Sequence, residues 1–435
     1  MRIDSRIFRL GLFLLASASS LTSTARAQDP PELVGVGDSS SEGVQSADAS
    51  LLTQPWTYLN WIAFKMNAQF PLPFISSGPL GWVGQTGSRF RFDSSVASLN
   101  LAVSGADVDD LLNRRADATT PAEIDSETDL VLFPRRGSQM EIVESLAPSF
   151  VICWIGANDA LGAVTSWDHL NASQLTSEAS FRARFREIGD RLSALGSKVV
   201  FLNIPDASSI AFAIDGDDLV HFLGSDHGLP PGYRTSLVAL FLLRLGLADG
   251  SLFQQPDLVL DHDELALVSD RISAFNQIID DVAADIGAPV VDIHALMGSI
   301  AASPPRIFGI RMGRRLLRGV FSLDGVHPSN TAHAIIADLT IRVMNEHYGT
   351  SIPRLTLWEL LTVFLLEPHL DKDGDGRVQG RPLAGLLETL GPSLGISGDW
   401  NDLDPSIKGP SSTPVDARSR KKLMEALELA LGRLR

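Results

Sequence analysis

Residues 33–43, LVGVGDSSSEG, join a short apolar run to a turn that is rich in glycine and serine. The run at 33–36 predicts a buried strand, and Gly37-Asp38-Ser39 follows it directly. A serine at the carboxyl end of a strand, where a helix begins, can expose its hydroxyl and point its backbone N–H toward a bound carbonyl group. Taken alone, the triplet is more typical of a tight turn in which Ser39 caps the helix.

Two further segments with small and polar residues stand between predicted strands and helices. The segment 100–106, NLAVSGA, contains Gly105, whose backbone N–H can approach a ligand without steric conflict. The segment 156–159, GAND, follows a predicted strand, and the Asn158 amide there is able to donate a hydrogen bond to a developing oxyanion. Each segment by itself is more typical of an ordinary strand-to-helix turn.

The segment 324–328, DGVHP, precedes a predicted helix at 329–347. A nucleophilic serine needs a base, and the base needs an acceptor for its second ring N–H. The three-residue spacing of Asp324 and His327, with a glycine between them, allows one loop to present both groups. An isolated Asp-x-x-His segment also fits a helix entry that is capped by Ser329 or Asn330.

The fold class is indicated by short apolar runs that alternate with longer helical patterns. Buried strands are predicted at 33–36, 150–155, 198–202 and 289–293. Apolar residues at helical spacing predict helices at 178–195 and 263–286. This alternation predicts an α/β fold with a parallel sheet that is covered by helices on both faces. Sheets of this class place their sites at the carboxyl ends of the strands.

Together, the four segments occur in the order serine, glycine, asparagine and histidine, and they resemble the SGNH, or GDSL-like, hydrolase family over roughly residues 32–348. The resemblance implies a three-layer α/β/α, flavodoxin-like fold and a serine esterase or lipase. Ser40 stands where the family name has leucine, a position outside the catalytic group. Asn100 matches the family's polar position before the glycine block, and we assign it no chemistry.

The resemblance also implies a role for each matching residue. Ser39 is expected to be the nucleophile, His327 the general base, and Asp324 the residue that orients and stabilises the imidazolium. The backbone N–H groups of Ser39 and Gly105, with the Asn158 side-chain amide, are expected to form the oxyanion hole. The reaction implied is acyl transfer in two steps, which needs no cofactor.

The amino-terminal 27 residues have the pattern of a secretory signal peptide. Arg2, Arg6 and Arg9 precede an apolar run at 10–15, and Ala25-Arg26-Ala27 offers a small-x-small cleavage site. The alternative is a membrane anchor, but the run is shorter than the roughly 20 residues that span a bilayer. We therefore expect cleavage and a secreted or periplasmic protein without a transmembrane segment.

The net charge bears on the binding partners of the chain, and the cysteine count bears on its disulfides. The chain carries a net charge of −16, and residues 1–27 contain four Arg and one Asp, so cleavage would change the net charge to −19. Such a charge disfavours nucleic acid and anionic membrane surfaces as general partners. Cys153 is the single cysteine, so no internal disulfide can form, and its apolar neighbours predict a buried small hydrophobe.

We expect three regions: the signal peptide at 1–27, a catalytic domain at 28–350, and a helical carboxyl-terminal region at 351–435. The loop 371–382 of the last region resembles an EF-hand. Its expected calcium ligands are Asp371, Asp373, Asp375 and the backbone carbonyl of Arg377. Pro382 replaces the bidentate Glu at the twelfth position, so the affinity is expected to be weak, and a solvated acidic turn is the alternative.

The natural ester is left open. The apolar segment 237–247 and the aromatic loop 71–95, with Trp82, fit a lid or an acyl-chain groove, whereas a core helix explains 237–247 equally well. Small-molecule or lipid esters are the expected substrates, and nothing in the sequence indicates the oligomeric state. Two alternatives to an esterase or lipase are a polysaccharide O-deacetylase and a non-catalytic, calcium-dependent surface binding protein.

Overall fold

A computed structural model describes residues 30–76, 89–166, 170–244, 246–307, 309–372 and 378. The predicted signal peptide, Trp82 and residues 379–435 of the expected helical carboxyl-terminal region lie outside these residues. No helix in the described part of the chain has the length and apolar character that a membrane span requires.

The described chain alternates between strands and helices. The strands are β1 (Leu33–Gly37), β2 (Phe150–Trp154), β3 (Lys198–Leu202), β4 (Ala213–Ile214), β5 (Arg234–Ser236), β6 (Val259–Leu260), β7 (Val290–Val291), β8 (Arg306–Ile307) and β9 (Ile310–Arg311). The first helices are α1 (Ser39–Glu42), α2 (Tyr58–Met66), α3 (Val108–Asn113), α4 (Glu127–Leu132), α5 (Gln139–Leu146), α6 (Asn158–Thr165) and α7 (Glu178–Ala194). They are followed by α8 (Gly216–Leu223), α9 (Leu237–Arg244), α10 (His262–Ile286), α11 (Ile293–Ala302), α12 (Asn330–Tyr348) and α13 (Leu357–Leu366).

The main sheet is parallel, with the strand order β1-β2-β3-β7. Asn100 forms a parallel bridge with Gly35 and adds a short fifth position beside β1. Counted along the chain, the five positions have the order 2-1-3-4-5, which is that of a flavodoxin-like doubly wound sheet. The strand order reverses between β1 and β2, and this switch point is where such folds bind ligands.

Helices cover both faces of this sheet, as the alternation of strands and helices predicted. The helices α2 and α12 pack together in one layer, and α5, α7 and α10 form contacts in the other. The aromatic rings of Phe181 and Phe275 stack with their centroids 3.9 Å apart, which joins α7 to α10. β1 and β2 are buried along their whole length, as expected for the centre of a parallel sheet.

The boundaries of the long helices follow their capping residues. Asp261 accepts the Glu264 N–H at the start of α10, and Gly287 ends that helix in the left-handed conformation. The strand predicted at 289–293 is shorter in the structure, because Asp292 accepts the Ala295 N–H and caps α11 instead. Leu267 has the spacing of the apolar face of α10 but is 45% exposed.

Candidate active site

Ser39 lies at the carboxyl end of β1, where the chain turns sharply into α1. The turn depends on Gly37, which has a φ of 153°, and a Cβ atom there would lie 2.2 Å from the Trp154 carbonyl oxygen. Asp38 caps α1 by accepting the Ser40 N–H at 3.0 Å. This local geometry places the Ser39 hydroxyl at the switch point of the sheet.

Asp324 and His327 lie in the loop that precedes α12, and this loop brings His327 to Ser39. The His327 Nε2 atom is 2.7 Å from the Ser39 Oγ, and the His327 Nδ1 atom is 2.7 Å from an Asp324 carboxylate oxygen. All three residues are buried. With its proton on Nδ1 and donated to Asp324, the ring can accept the Ser39 proton at Nε2.

The Asp324 carboxylate is held in its ionised form by several donors. One oxygen accepts the backbone N–H groups of Val326 and His327, each at 2.9 Å, and the other accepts the Ala47 N–H at 2.9 Å. Burial alone would raise the pKa of Asp324, but the positive potential of His327 and these hydrogen bonds outweigh burial and hold the pKa well below its usual value. The carboxylate therefore stays charged and fixes the orientation of the imidazole.

Gly105 and Asn158 follow the two strand positions that flank β1, namely the bridge at Asn100 and the strand β2. Gly105 has a φ of 74°, and no hydrogen bond from its N–H, or from that of Ser39, reaches an acceptor among the described residues. The Asn158 amide donates one hydrogen bond to the Ala106 carbonyl at 2.8 Å. Asn158 lines the cavity beside Ser39, whereas Gly105 lines the neighbouring cleft together with Asn158.

The cavity beside Ser39 is small and mostly apolar. Its volume is about 40 Å³, which is room for about three water-sized groups. Its apolar walls include Trp154, Leu161, Ile204, Pro205, Ile210 and Met297. A short acyl group fits such walls better than a polar group, because an unpaired polar atom is costly to bury there.

A wider, polar cleft begins on the other side of Asn158 and has a volume of about 280 Å³. It shares Asn158 and Leu161 with the cavity beside Ser39. Its polar lining includes Asp107, Asp110, Arg114, Thr165 and Gln174. The two spaces therefore differ in size and polarity on either side of the Asn158 side chain.

Two buried acids next to the site have raised pKa values. Burial raises the pKa of Asp38 to about 6, although the Ser40 N–H and His327 act in the opposite direction. Burial, with the negative charge of Asp107, raises the pKa of Asp159 to about 7. Burial also raises the pKa of the Cys153 thiol, in keeping with the predicted buried hydrophobe.

The roles of several supporting residues were not identified from the sequence. The Gln139 side chain holds Gly37 through two hydrogen bonds of 2.9 Å, one to its N–H and one to its carbonyl. The Ser322 hydroxyl accepts the Ser46 N–H and donates to Asp324. Asn100 donates to the Ser41 carbonyl at 2.7 Å, so it ties the strand position at 100 to α1. No spacing in the sequence links these partners, which are up to 276 positions apart.

Of the four expected calcium ligands, Asp371 lies among the described residues. Asp371 is buried and donates its N–H to the Leu317 carbonyl at 3.0 Å, but Asp373, Asp375 and Arg377 lie outside the described residues. Within the described part of the chain, no group of three or more His, Cys, Asp or Glu side chains is placed to hold a metal ion. Calcium binding stays a prediction.

The two candidate lid segments differ in the structure. Residues 237–243 are all buried in α9, so the core-helix alternative describes this segment. In the aromatic loop, Phe90 and Phe92 are more than half exposed and pack edge to face with their centroids 5.3 Å apart. Residues 77–88 of that loop lie outside the described part of the chain.

A parallel α/β sheet that carries a hydrogen-bonded serine, histidine and aspartate at its carboxyl edge has the architecture of a serine hydrolase. The family model of the GDSL-like lipase/acylhydrolases matches residues 33–340. The chain therefore belongs to the GDSL-like lipase/acylhydrolase family, and its expected class of activity is ester hydrolysis.

Solved structures of two enzymes are similar to this chain at low identity. A lipase/acylhydrolase from Enterococcus faecalis is 13% identical, with 74% of this chain and 100% of that chain covered and a TM-score of 0.35. The acetylxylan esterase Axe2 from Geobacillus stearothermophilus is 15% identical, with 76% and 100% covered and a TM-score of 0.35. A comparison with curated protein sequences finds no significant match.

Proposed function

We propose that this protein hydrolyses carboxylic esters through an acyl-enzyme intermediate on Ser39. The observation that carries the proposal is the continuous hydrogen-bonded path from the Ser39 hydroxyl through the His327 ring to Asp324, with both distances at 2.7 Å. A serine hydroxyl is a weak nucleophile at neutral pH unless a neighbouring base takes its proton during attack. His327 is placed to act as that base.

The first step forms the acyl-enzyme. The Ser39 oxygen attacks the ester carbonyl carbon, and His327 takes the hydroxyl proton at Nε2. The carbonyl oxygen becomes an oxyanion, and the N–H groups of Ser39 and Gly105 and the Asn158 amide supply the donors that stabilise it. His327 then gives its proton to the leaving alcohol as the carbon–oxygen bond of the ester breaks.

The second step releases the acid. A water molecule gives a proton to His327 and attacks the acyl carbonyl carbon, and the same donors stabilise the second oxyanion. The proton returns to the Ser39 oxygen as the bond between Ser39 and the acyl group breaks. Asp324 keeps its negative charge throughout and stabilises the imidazolium that forms in each step.

Substitution of the nucleophile and of the base tests the proposal. We expect Ser39→Ala and His327→Ala each to lower kcat for p-nitrophenyl acetate by roughly 10⁴-fold or more, with the melting temperature nearly unchanged. The matched control is Ser40→Ala, which removes the neighbouring hydroxyl and should lower kcat less than tenfold. Hydrolysis that persists in Ser39→Ala at the wild-type rate would contradict the proposal.

For the substrate, the small apolar cavity beside Ser39 supports a short acyl chain. We expect kcat/KM to fall from p-nitrophenyl acetate or butyrate to the octanoate and palmitate, because a longer chain exceeds a cavity of about 40 Å³. Activity that rises toward long chains would instead support a lipase with an acyl groove elsewhere on its surface.

The polar cleft beyond Asn158 favours one second candidate, the hydrolysis of O-acetyl groups on a polysaccharide. Carboxylate, amide and guanidinium groups line this cleft, and such groups form hydrogen bonds with hydroxyl groups. A direct comparison of acetylated xylan with tributyrin separates the two candidates. Preference for acetylated xylan supports the deacetylase, and preference for tributyrin supports an esterase of apolar substrates.

Two features of the sequence support proposals that concern the rest of the chain. The basic, apolar and small-residue pattern of residues 1–27 supports export by a cleaved signal peptide, which amino-terminal sequencing of the exported protein tests. The acidic loop 371–382 supports weak calcium binding. A calorimetric titration without calcium heat, together with an unchanged melting temperature, would contradict calcium binding.

A non-catalytic, calcium-dependent surface binding protein is the remaining alternative. Such a protein has no need of an activated serine, so a fluorophosphonate probe would not label it. The proposed enzyme, in contrast, should be labelled, because the probe reacts with a serine that a neighbouring base activates.

A further inference from the structure

Glu42 is the last residue of α1, the short helix that begins at Ser39, and it is 1% exposed. One of its carboxyl oxygens accepts the Ser104 backbone N–H at 2.6 Å and also accepts the Ser104 hydroxyl. Glu42 therefore joins the helix of Ser39 to the turn that contains Gly105.

This turn, residues 103–106, is held at both of its ends by other hydrogen bonds. The Val103 N–H donates to the Gly37 carbonyl at 3.1 Å, and the Ala106 carbonyl accepts the Asn158 amide at 2.8 Å. The bonds from Ser104 to Glu42 hold the middle of the turn, next to Gly105. The three proposed oxyanion donors thus belong to one connected set of contacts that passes through Glu42.

The second carboxyl oxygen of Glu42 faces a different environment. It is buried and has no hydrogen-bond partner among the described residues if Glu42 is ionised. Glu127 lies beside it, and Arg89 binds both Glu127 oxygens, at 2.8 and 2.7 Å. Burial, followed by the negative charge of Glu127, raises the pKa of Glu42 well above its usual value.

These contacts are satisfied together when Glu42 is neutral. A protonated Glu42 can donate its proton to the Glu127 carboxylate, which Arg89 neutralises. Its other oxygen remains free to accept both Ser104 hydrogen bonds. In contrast, an ionised Glu42 would place two carboxylates next to each other in a buried site, which is unfavourable.

We propose that neutral Glu42 is a positioning residue, which holds the turn at Ser104 so that the Gly105 N–H points at the developing oxyanion. This inference rests on the proposed function, because it assigns Glu42 to the same oxyanion hole. Glu42 itself does not touch the substrate. Its effect on the rate comes from the alignment of a donor that must be correct to about half an ångström.

Two conservative variants of Glu42 separate this role from a purely structural one. Glu42→Gln has the shape of the protonated acid, since its amide can donate to Glu127 and its oxygen can accept from Ser104. We expect Glu42→Gln to retain at least a third of the wild-type kcat. Glu42→Asp keeps the carboxyl group but withdraws it from Ser104 by one methylene. We expect Glu42→Asp to lower kcat at least tenfold, with KM within twofold of the wild type.

Glu367 provides the matched control. It is also 1% exposed and accepts both the N–H and the hydroxyl of one residue, Thr331, each at 2.7 Å. We expect Glu367→Asp to lower the melting temperature about as much as Glu42→Asp does, yet to leave kcat within threefold. Equal losses of kcat in the two aspartate variants would show that Glu42 acts only on stability.

Hydrogen exchange at the Ser104 amide gives a readout that does not depend on activity. This amide should be protected in the wild type and in Glu42→Gln, and it should exchange faster in Glu42→Asp. If Glu42→Asp folds too poorly to assay, Ser104→Ala removes one of the two bonds and should lower kcat severalfold. Ser104→Ala with wild-type kcat would then count against the proposal.

Each of the remaining outcomes would contradict a different claim. A Glu42→Gln variant that loses as much activity as Glu42→Asp would contradict the claim that Glu42 acts in its neutral form. Wild-type kcat in a Glu42→Asp variant whose Ser104 amide has lost protection would overturn the positioning role. If the wild-type protein neither cleaves esters nor reacts with a fluorophosphonate, the proposed function fails. In that event, an unchanged Ser104 exchange rate in Glu42→Asp would overturn the role of Glu42 as well.

Discussion

Among the three proposed oxyanion donors, Asn158 is the one that a substitution can remove cleanly, because Ser39 and Gly105 donate from the backbone. Its amide is oriented by the hydrogen bond to the Ala106 carbonyl and lines the cavity beside Ser39. We expect Asn158→Ala to lower kcat by roughly 10²- to 10³-fold, which corresponds to about 3 to 4 kcal/mol of lost transition-state stabilisation. KM should change little, since the donor acts mainly on the charge that forms during reaction.

Steady-state kinetics with p-nitrophenyl acetate measures this effect. The companion variant Asn158→Asp keeps the shape of the side chain but replaces the donor with an acceptor, so it should be at least as slow. A kcat in Asn158→Ala within threefold of the wild type would exclude the amide from the oxyanion hole.

Asp159 makes the stability of the protein depend on pH. Its pKa is raised from 3.8 to about 7 by burial and by Asp107, so the folded protein binds this proton more tightly than the unfolded chain does. The free energy of unfolding therefore falls as the pH rises from about 4 to about 7, because over this range the unfolded chain loses the proton of Asp159 while the folded protein keeps it. The loss amounts to about 4 kcal/mol at most.

We expect Asp159→Asn to remove this component. Urea unfolding at pH 5 and pH 8 should show the variant gaining about 2 to 4 kcal/mol relative to the wild type at the higher pH. Asp217→Asn, which removes a carboxyl group at an exposed position, is the control for the loss of one negative charge. Parallel curves for Asp159→Asn and the wild type would mean that Asp159 does not titrate in this range.

The catalytic candidates were accessible from the sequence because each stands in a short motif with its own chemistry. Asp324 and His327 are three positions apart, and Ser39 follows a strand within one tripeptide. Glu42 and Ser104 carry no such signal, since their contact joins residues 62 positions apart. A buried carboxyl group that supports a distant turn becomes visible only when the fold brings the two together.

At the scale of secondary structure, α9 tests how an apolar segment is interpreted. Composition alone made 237–247 equally suitable for a lid and for the core, and the structure buries residues 237–243. Leu240 is 2% exposed, so Leu240→Ala should lower the free energy of unfolding by about 2 to 5 kcal/mol. The dependence of kcat/KM on acyl-chain length should stay the same.

Chemical denaturation and a p-nitrophenyl ester series measure the two effects. Val220→Ala, at a position that is 50% exposed on α8, is the control and should cost far less stability. A Leu240→Ala variant that keeps its stability but prefers a different acyl-chain length would instead support the alternative that α9 is a lid.

The alternation of strands and helices was predictable because the central strands are short apolar runs and the long helices have clear periodicity. The exact ends of the elements and the exposure of single residues were harder to predict. The strand predicted at 289–293 is limited to β7, because the cap at Asp292 starts a helix within the same apolar run. Leu267 fits the helical pattern of α10 yet is 45% exposed, so the apolar spacing of this helix extends beyond its buried face.

At the scale of the whole molecule, packing extends beyond the part that matches the family. The family match ends at residue 340, yet α13 packs against α12, and Val363 and Phe364 are fully buried. Lys65 on α2 forms a salt bridge with Glu359 on α13 at 2.9 Å. Residues 357–371 therefore contribute to the same core as the sheet.

Phe364→Ala should cost about 3 to 5 kcal/mol of unfolding free energy, because it leaves a cavity in that core. Leu365→Ala is the neighbouring control, as Leu365 is 54% exposed and should cost less than about 1 kcal/mol. Thermal and urea unfolding of both variants measure the difference. Equal stability of the two variants would show that α13 is not part of the core.

The most direct test of the central claim is peptide mapping by mass spectrometry after reaction with a fluorophosphonate. We predict one covalent adduct, on the Ser39 hydroxyl, that forms in the wild type and is absent from Ser39→Ala. An adduct on a different residue, or ester hydrolysis by a protein that the probe does not label at all, would contradict the account.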